Sequence, residues 1–191
     1  VTPEGQQTLA SAWQQPELDA AFFVFSSRHG EFSRTLSILT ALAQQEPLSP
    51  ADFSLSVHHS LLALLSLVKK NTNGHTALAA GEQSFEAGLC EALAMLAENP
   101  DSPVLLVSYD APLPGAYKAL EKTPCKNEVL ALLLKGPSAG LDTYDFVPMA
   151  DMEQDGTSLN RELLSLLNGD EENCVLRLGQ EDWLLMRDCH A

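Results

Sequence analysis

The chain has 191 residues, 45% hydrophobic and 19% charged, enough to bury one sizeable core, so a single domain over residues 1–191 is expected. Its formal charge of -15 argues against the phosphate-neutralising surface that nucleic-acid binding needs and against a basic face for anionic lipid. The longest apolar run, Leu61 to Val68, is broken by Ser66 and closed by Lys69-Lys70, well short of the roughly 18 to 20 residues of a membrane span.

Cys90, Cys125, Cys174 and Cys189 form no C-x-x-C pair and no disulfide-like spacing, which points to reduced thiols and a cytoplasmic setting. The chain shows no signal-peptide pattern and begins at Val1 rather than Met, which leaves room for an opening strand upstream.

Ala21 to Ser26 is a nearly continuous apolar run, the pattern of a strand covered on both faces. Phe32, Leu36, Leu39 and Ala43 then recur at helical spacing up to the breaker Glu46-Pro47. A polar loop with Pro47 and Pro50 leads to Phe53, and Ser54 to His59 is expected to enter a helix running to about Lys70. After a turn at Asn71 to Gly74 comes a short strand, Thr76 to Ala80. Ser84 to Glu98 follows as a helix with Phe85, Leu89, Ala92, Leu93 and Leu96 on its apolar face. Pro103 to Tyr109 is the clearest buried strand and ends at Asp110 and the proline-rich loop Ala111 to Gly115. Asn127 to Lys135 reads as a strand stopped by Gly136-Pro137, and Ser158 to Asn168 as a helix. Asn173 to Leu178 and Asp182 to Arg187 read as paired strands around Gly179-Gln180. The alternation predicts an α/β layered domain.

Ser26-Ser27-Arg28-His29-Gly30 follows a predicted strand, at the edge where open α/β sheets place their sites. Adjacent residues of an extended chain face opposite ways, so capping or loop hydrogen bonding explains this serine and histidine better than a nucleophile and its base. His58 and His59 would diverge by about 100 degrees on a helix, unlike the convergent ligands of a metal site. One is expected to pack inward with its ring N–H on a backbone carbonyl, the other to face solvent. Cys90 stands about two turns inside its helix, beyond the dipole that would activate it, and reads as core packing. Glu82, at the start of that helix, reads as an acid compensating the dipole. No metal and no cofactor is expected.

Several stretches share their order and spacing with one family: Ser26-Ser-Arg-His-Gly-Glu31, Glu46-Pro-Leu-Ser-Pro50, Phe53-Ser-Leu-Ser-Val-His58 and Thr76-Ala-Leu-Ala-Ala-Gly81, then Ser84-Phe85, Gly88-Leu89 with Glu91-Ala92, and Val104-Leu-Leu-Val-Ser-Tyr-Asp110 with Pro112-Leu-Pro114. Together they resemble the short β-ketoacyl synthase-like proteins called chain length factors, found with type II fatty-acid or aryl-polyene (polyketide-like) pathways. The likeness covers about Phe22 to Pro114. It implies a thiolase-like α/β fold equivalent to the N-terminal half of a ketosynthase. It also implies a heterodimer with a true ketosynthase, whose acyl tunnel the subunit helps to shape.

Ketosynthases mount their nucleophilic cysteine at a strand-to-helix corner, and here that corner reads Gly81-Glu82-Gln83-Ser84. The resemblance matches Gln83 to the lost cysteine, whereas a gapless count back from Glu91-Ala92 matches Glu82. The thiolase-like dimer implies pairing across an antiparallel edge strand and its adjoining helix, placing Val104, Leu106, Ser108, Phe85 and Leu89 at an interface. The partner is then a ketosynthase, or a second copy in its absence. Acyl carrier protein, itself acidic, is expected to reach this chain only indirectly. The competing reading is a small acyltransferase or hydrolase using Ser26 or Ser27, His29, His58 and Asp110, for which a serine oxygen must meet an imidazole oriented by a carboxylate.

Overall fold

The computed structural model describes residues 16–121, 128–136, 144–149, 159–170, 173–178 and 181–187. They fall into two compact units, Val1–Leu134 and Lys135–Ala191, each with its own sheet.

In the first unit β1 (Phe22–Ser26) occupies the interior of a four-stranded sheet of order β2-β1-β3-β4. Its neighbours are β2 (His75–Leu78) and β3 (Val104–Asp110), both parallel to it, and β4 (Glu128–Leu134) runs antiparallel along β3. Covered on both faces, β1 and β3 require apolar side chains at almost every position, which is why neither alternates with polar residues. The register sorts the faces. Phe23 stands beside Leu105 and Phe25 beside Val107, with Leu133 and Ala131 next in line on β4. This face joins Tyr109, Leu62 and Leu65 in one core cluster.

The helices of this unit are α1 (Phe32–Ala43), α2 (Pro50–Ser56), α3 (Ser60–Lys69) and α4 (Ser84–Glu98); α3 and α4 pack on the sheet, while α1 packs on α2 and α2 on α3. Leu62 and Leu65 of α3 supply its buried side, and Ser49 caps α2 by accepting the Asp52 N–H at 3.2 Å. The expected helix from Ser54 to Lys70 is broken: Val57 is extended, and α2 and α3 meet at 99°. Among the described residues no single helix is long and apolar enough to cross a membrane. Asn71 fastens the turn after α3 to the start of β1. Its buried amide donates to the carbonyls of Leu18 at 2.9 Å and Ala21 at 2.7 Å, and its oxygen accepts the Asn73 N–H at 2.8 Å.

The opposite face of β1 and β3 carries Val24, Ser26, Val104 and Leu106, all without solvent exposure. Gly88 of α4 lies against it: a Cβ there would stand 2.6 Å from Ser26 Cβ and 3.1 Å from Leu106 Cδ1. Leu89 and Ala92 are buried on the same helix, while Cys90 is exposed. Cys90 is therefore not a core residue. One step from Leu89 turns a helix by about 100 degrees, which carries its thiol to the outer side.

β3 is likewise no edge. It is hydrogen-bonded along both sides, and Val104 and Leu106 are fully enclosed, Ser108 nearly so. The expected interface at Val104, Leu106, Ser108 and Leu89 thus corresponds to internal packing, and of that set only Phe85 keeps appreciable surface.

The second unit holds β5 (Tyr144–Met149), α5 (Leu159–Asn168), β6 (Asn173–Leu178) and β7 (Glu181–Arg187), with an antiparallel sheet of order β5-β7-β6. Pairing of β6 with β7 agrees with the sequence reading; their turn at Gly179-Gln180 lies outside the described residues. β5 was not anticipated. It contains Pro148, which a strand tolerates when it is paired on one side only, as β5 is among the described residues. Leu163 and Leu166 of α5 are buried.

Leu106→Asp should destabilise the chain by about 3 to 5 kcal/mol, the cost of a buried unpaired charge. Gly88→Ala should cost about 1 to 3 kcal/mol through overpacking. Urea unfolding measures both, and wild-type midpoints would show that α4 is not seated on this face.

Candidate functional site

Three segments converge where β1 and β3 end: the loop after β1, Asp110 at the end of β3, and the corner before α4. Ser27 is fully buried. Its hydroxyl accepts the Gly30 N–H at 2.7 Å and donates to Asp110 Oδ1 at 3.4 Å, and the same carboxylate oxygen accepts the Arg28 N–H at 2.8 Å. Burial pushes the Asp110 carboxyl above its ordinary value, opposed by the Arg28 and His29 N–H groups, the His29 charge and the Ser27 hydroxyl. The Arg28 guanidinium crosses to Glu82 at 3.2 Å, tying the β1 loop to the corner.

The corner is a single 3₁₀ turn, Gly81–Gln83, leading into α4 at Ser84. Both residues that the resemblance sets at the missing cysteine, Glu82 and Gln83, therefore lie on it. Gln83 occupies the N-cap position and donates its N–H to the Ala80 carbonyl at 3.3 Å. Ser84 is buried and locks the turn from inside: its hydroxyl accepts the Ala80 N–H at 3.0 Å and donates to the Gly81 carbonyl at 2.7 Å. The Ser26 hydroxyl donates to the Ser84 carbonyl, joining corner to sheet.

His58 reaches the same region from the break between α2 and α3. Gly30, at φ +57, lets the ring approach, since a Cβ there would stand 3.1 to 3.3 Å from three imidazole atoms. His58 does pack inward and His59 outward, the latter stacking on His75 with centroids 6.2 Å apart. The expected bond from the inward ring to a carbonyl is not made at Nε2, which is buried without a partner; His29 Nε2 is in the same condition.

Ser26, Ser27, His29, His58 and Asp110 thus do gather at one sheet edge, but their hydroxyls are spent elsewhere. Ser26 bonds a backbone carbonyl and Ser27 bonds Asp110 directly, so the carboxylate meets the serine with no imidazole between them. Among the described residues no hydrogen bond joins either serine to a histidine, which is not the relay of a hydrolase. Nor do three or more His, Cys, Asp or Glu side chains gather as a metal site among those residues. Sequence reasoning missed the Arg28–Glu82 pair and the role of Ser84, for no local pattern links positions so far apart in the chain.

A mixed sheet, a helix seated on it through glycine and a tight corner at that helix's N-terminus define a thiolase-like fold of the condensing-enzyme type. Residues 1–184 match the model of the β-ketoacyl synthase N-terminal domain, a span that runs across both compact units, and the chain belongs to that family. Among solved structures it is similar to a chain of the complex of the ketosynthase ApeO with its chain length factor ApeC from Xenorhabdus doucetiae. The identity is 30% and the TM-score 0.74, over 96% of this chain and 74% of the other. No curated protein matches the chain.

Because the folded state holds the Asp110 proton more tightly than the unfolded chain does, Asp110 itself should add stability as pH falls from neutral toward the ordinary aspartate value of 3.8. Asp110→Asn lacks this gain. The melting temperature of the variant minus that of wild type should therefore drop steadily over that window. A pH-independent difference would show that Asp110 titrates as it does unfolded.

Proposed function

We propose that this chain is a non-catalytic, chain-length-factor-like subunit that pairs with a ketosynthase in type II fatty-acid or aryl-polyene biosynthesis and contributes wall to the acyl tunnel. The observation that supports this reading is the corner itself: the Gly81–Gln83 turn into α4, which the resemblance matches to the turn on which a condensing enzyme holds its thiol, bears Glu82 and Gln83. Neither side chain can form a thioester. Cys90, the cysteine nearest in sequence, lies on the exposed side of α4 and about two turns beyond the helix end that would favour a thiolate. Membership of the ketosynthase family and likeness to a ketosynthase–chain length factor complex support the same reading. The division of labour follows: the partner supplies nucleophile and histidines, and this chain supplies surface.

The purified chain should not condense acyl and malonyl thioesters, whereas co-expression with a tagged ketosynthase from the same genome should yield a stable, active complex. Mass spectrometry of the isolated chain after exposure to acyl thioester is the sharpest check. A covalent acyl adduct lost on Cys90→Ser would sink the non-catalytic reading.

Carrier protein is expected to dock mainly on the partner, since the charge of -15 repels another acidic protein. Lys69 is already paired with Asp19 at 3.5 Å. Titration of acyl carrier protein into the isolated chain at low salt should give no tight binding. Tight binding that weakens steeply with added salt would move docking to this subunit.

A further inference from the structure

The chain contains two Asn-Gly pairs, Asn73-Gly74 and Asn168-Gly169. In such a pair the glycine nitrogen can approach the side-chain carbonyl of the asparagine before it, because no Cβ stands in the way. Folding decides which of the two pairs is free to react.

Asn168 is the last residue of α5, and helix-ending hydrogen bonds close the turn behind it. The Gly169 N–H donates to the Leu166 carbonyl at 3.0 Å, and the Asp170 N–H to the Ser165 carbonyl at 2.9 Å. Asn73 and Gly74 lie between α3 and β2, outside any helix or strand, and both are exposed. Among the described residues the Gly74 N–H meets no acceptor. Gly74 takes φ +103, and no atom stands within 4 Å of where its Cβ would be, so the nitrogen has both room and water around it.

The same asparagine holds the turn to the entry of β1. Its Nδ2 donates to the Ala20 carbonyl at 2.6 Å, its N–H to Asn71 Oδ1 at 2.8 Å, and the Gly74 carbonyl next to it accepts the Phe23 N–H at 3.3 Å. The Nδ2 bond is exposed, and exposed hydrogen bonds open more readily than those of a core.

We propose that Asn73 is a site of spontaneous modification, and that its conversion unfastens this turn from β1. The Gly74 nitrogen, having given its proton to solvent base, forms a bond to Asn73 Cγ. The Cγ–Nδ2 bond breaks, the amide nitrogen leaves as ammonia, and a cyclic imide remains. Water opens the imide at Cγ to give aspartate, or at the backbone carbonyl to give isoaspartate. Water is consumed and ammonia released, with no change of oxidation state. Either product exchanges the Nδ2–H donor for a carboxylate that repels the Ala20 carbonyl oxygen, and isoaspartate also lengthens the main chain just ahead of β2.

The test incubates the full chain in mildly alkaline buffer, with and without urea, and follows both pairs by peptide mass spectrometry with fragmentation that separates aspartate from isoaspartate. In the folded chain Asn73 should convert several-fold faster than Asn168, and in urea that ratio should shrink toward equality. The aged chain should melt at a lower temperature than fresh protein, and Asn73→Asp should reproduce part of the loss without ageing. Asn73→Gln, whose longer side chain closes the ring less readily, should keep its melting temperature over the same incubation. Conversion at Asn168 as fast as at Asn73 in the folded chain, or none at Asn73, would overturn the site. Full conversion at Asn73 with an unchanged melting temperature would overturn the unfastening. Both readings come from the wild-type chain, so they stand even if a variant fails to fold.

Discussion

The seating of α4 on the sheet is the contact on which the rest of the first unit depends. Gly88 lets the helix backbone approach Ser26 and Leu106 more closely than any side chain would allow, and the Ser26 hydroxyl reaches the Ser84 carbonyl at the start of the same helix. The helix is thereby held at its first turn and again one turn later. Because Ser84 also closes the Gly81–Gln83 turn with its own hydroxyl, the corner has little freedom relative to β1. Such rigidity would orient a nucleophile in a condensing enzyme; here it orients Glu82 and Gln83.

Polar groups at the sheet edge follow from that packing. Where β1 and β3 end side by side, their last residues leave backbone N–H groups under partial cover, and buried donors need acceptors. Asp110 supplies one to Arg28, and Ser27 supplies one to Gly30. The carboxylate is costly to desolvate, but it stands where several donors point. Two serines, two histidines and an aspartate thus meet because a loop must be tied down, and their proximity is no evidence of chemistry until the order of the hydrogen bonds is known.

The sheet and its outer helices meet water in opposite ways. The sheet hides nearly every large apolar side chain, whereas Leu39 and Leu42 of α1, Phe53 of α2 and Leu64, Leu67 and Val68 of α3 are exposed. Exposed apolar surface of this extent, almost free of charge, gives a lone chain no stability. It contributes favourably once a partner removes it from water.

Local signals were enough for most elements, because a strand covered on both faces and a helix with one apolar stripe each leave their periodicity in the residues. Ala21 to Ser26, Ser84 to Glu98 and Pro103 to Tyr109 all emerged as anticipated, with small shifts at the ends. The break at Val57 to His59 was not legible, since Leu61 to Val68 continues the apolar pattern and the turn is fixed by His58 packing on Gly30. β5 escaped for the opposite reason: Pro148 weakens its local strand character, and pairing with β7 supplies what propensity lacks. From residues alone came the α/β class, the family resemblance and a corner without a thiol. Tertiary structure alone decided that β3 is interior, that Cys90 faces outward, that Arg28 reaches Glu82, and that Ser27 bonds Asp110 instead of an imidazole. These depend on sheet order and on contacts between residues distant in the chain, and a linear pattern encodes period but not neighbour.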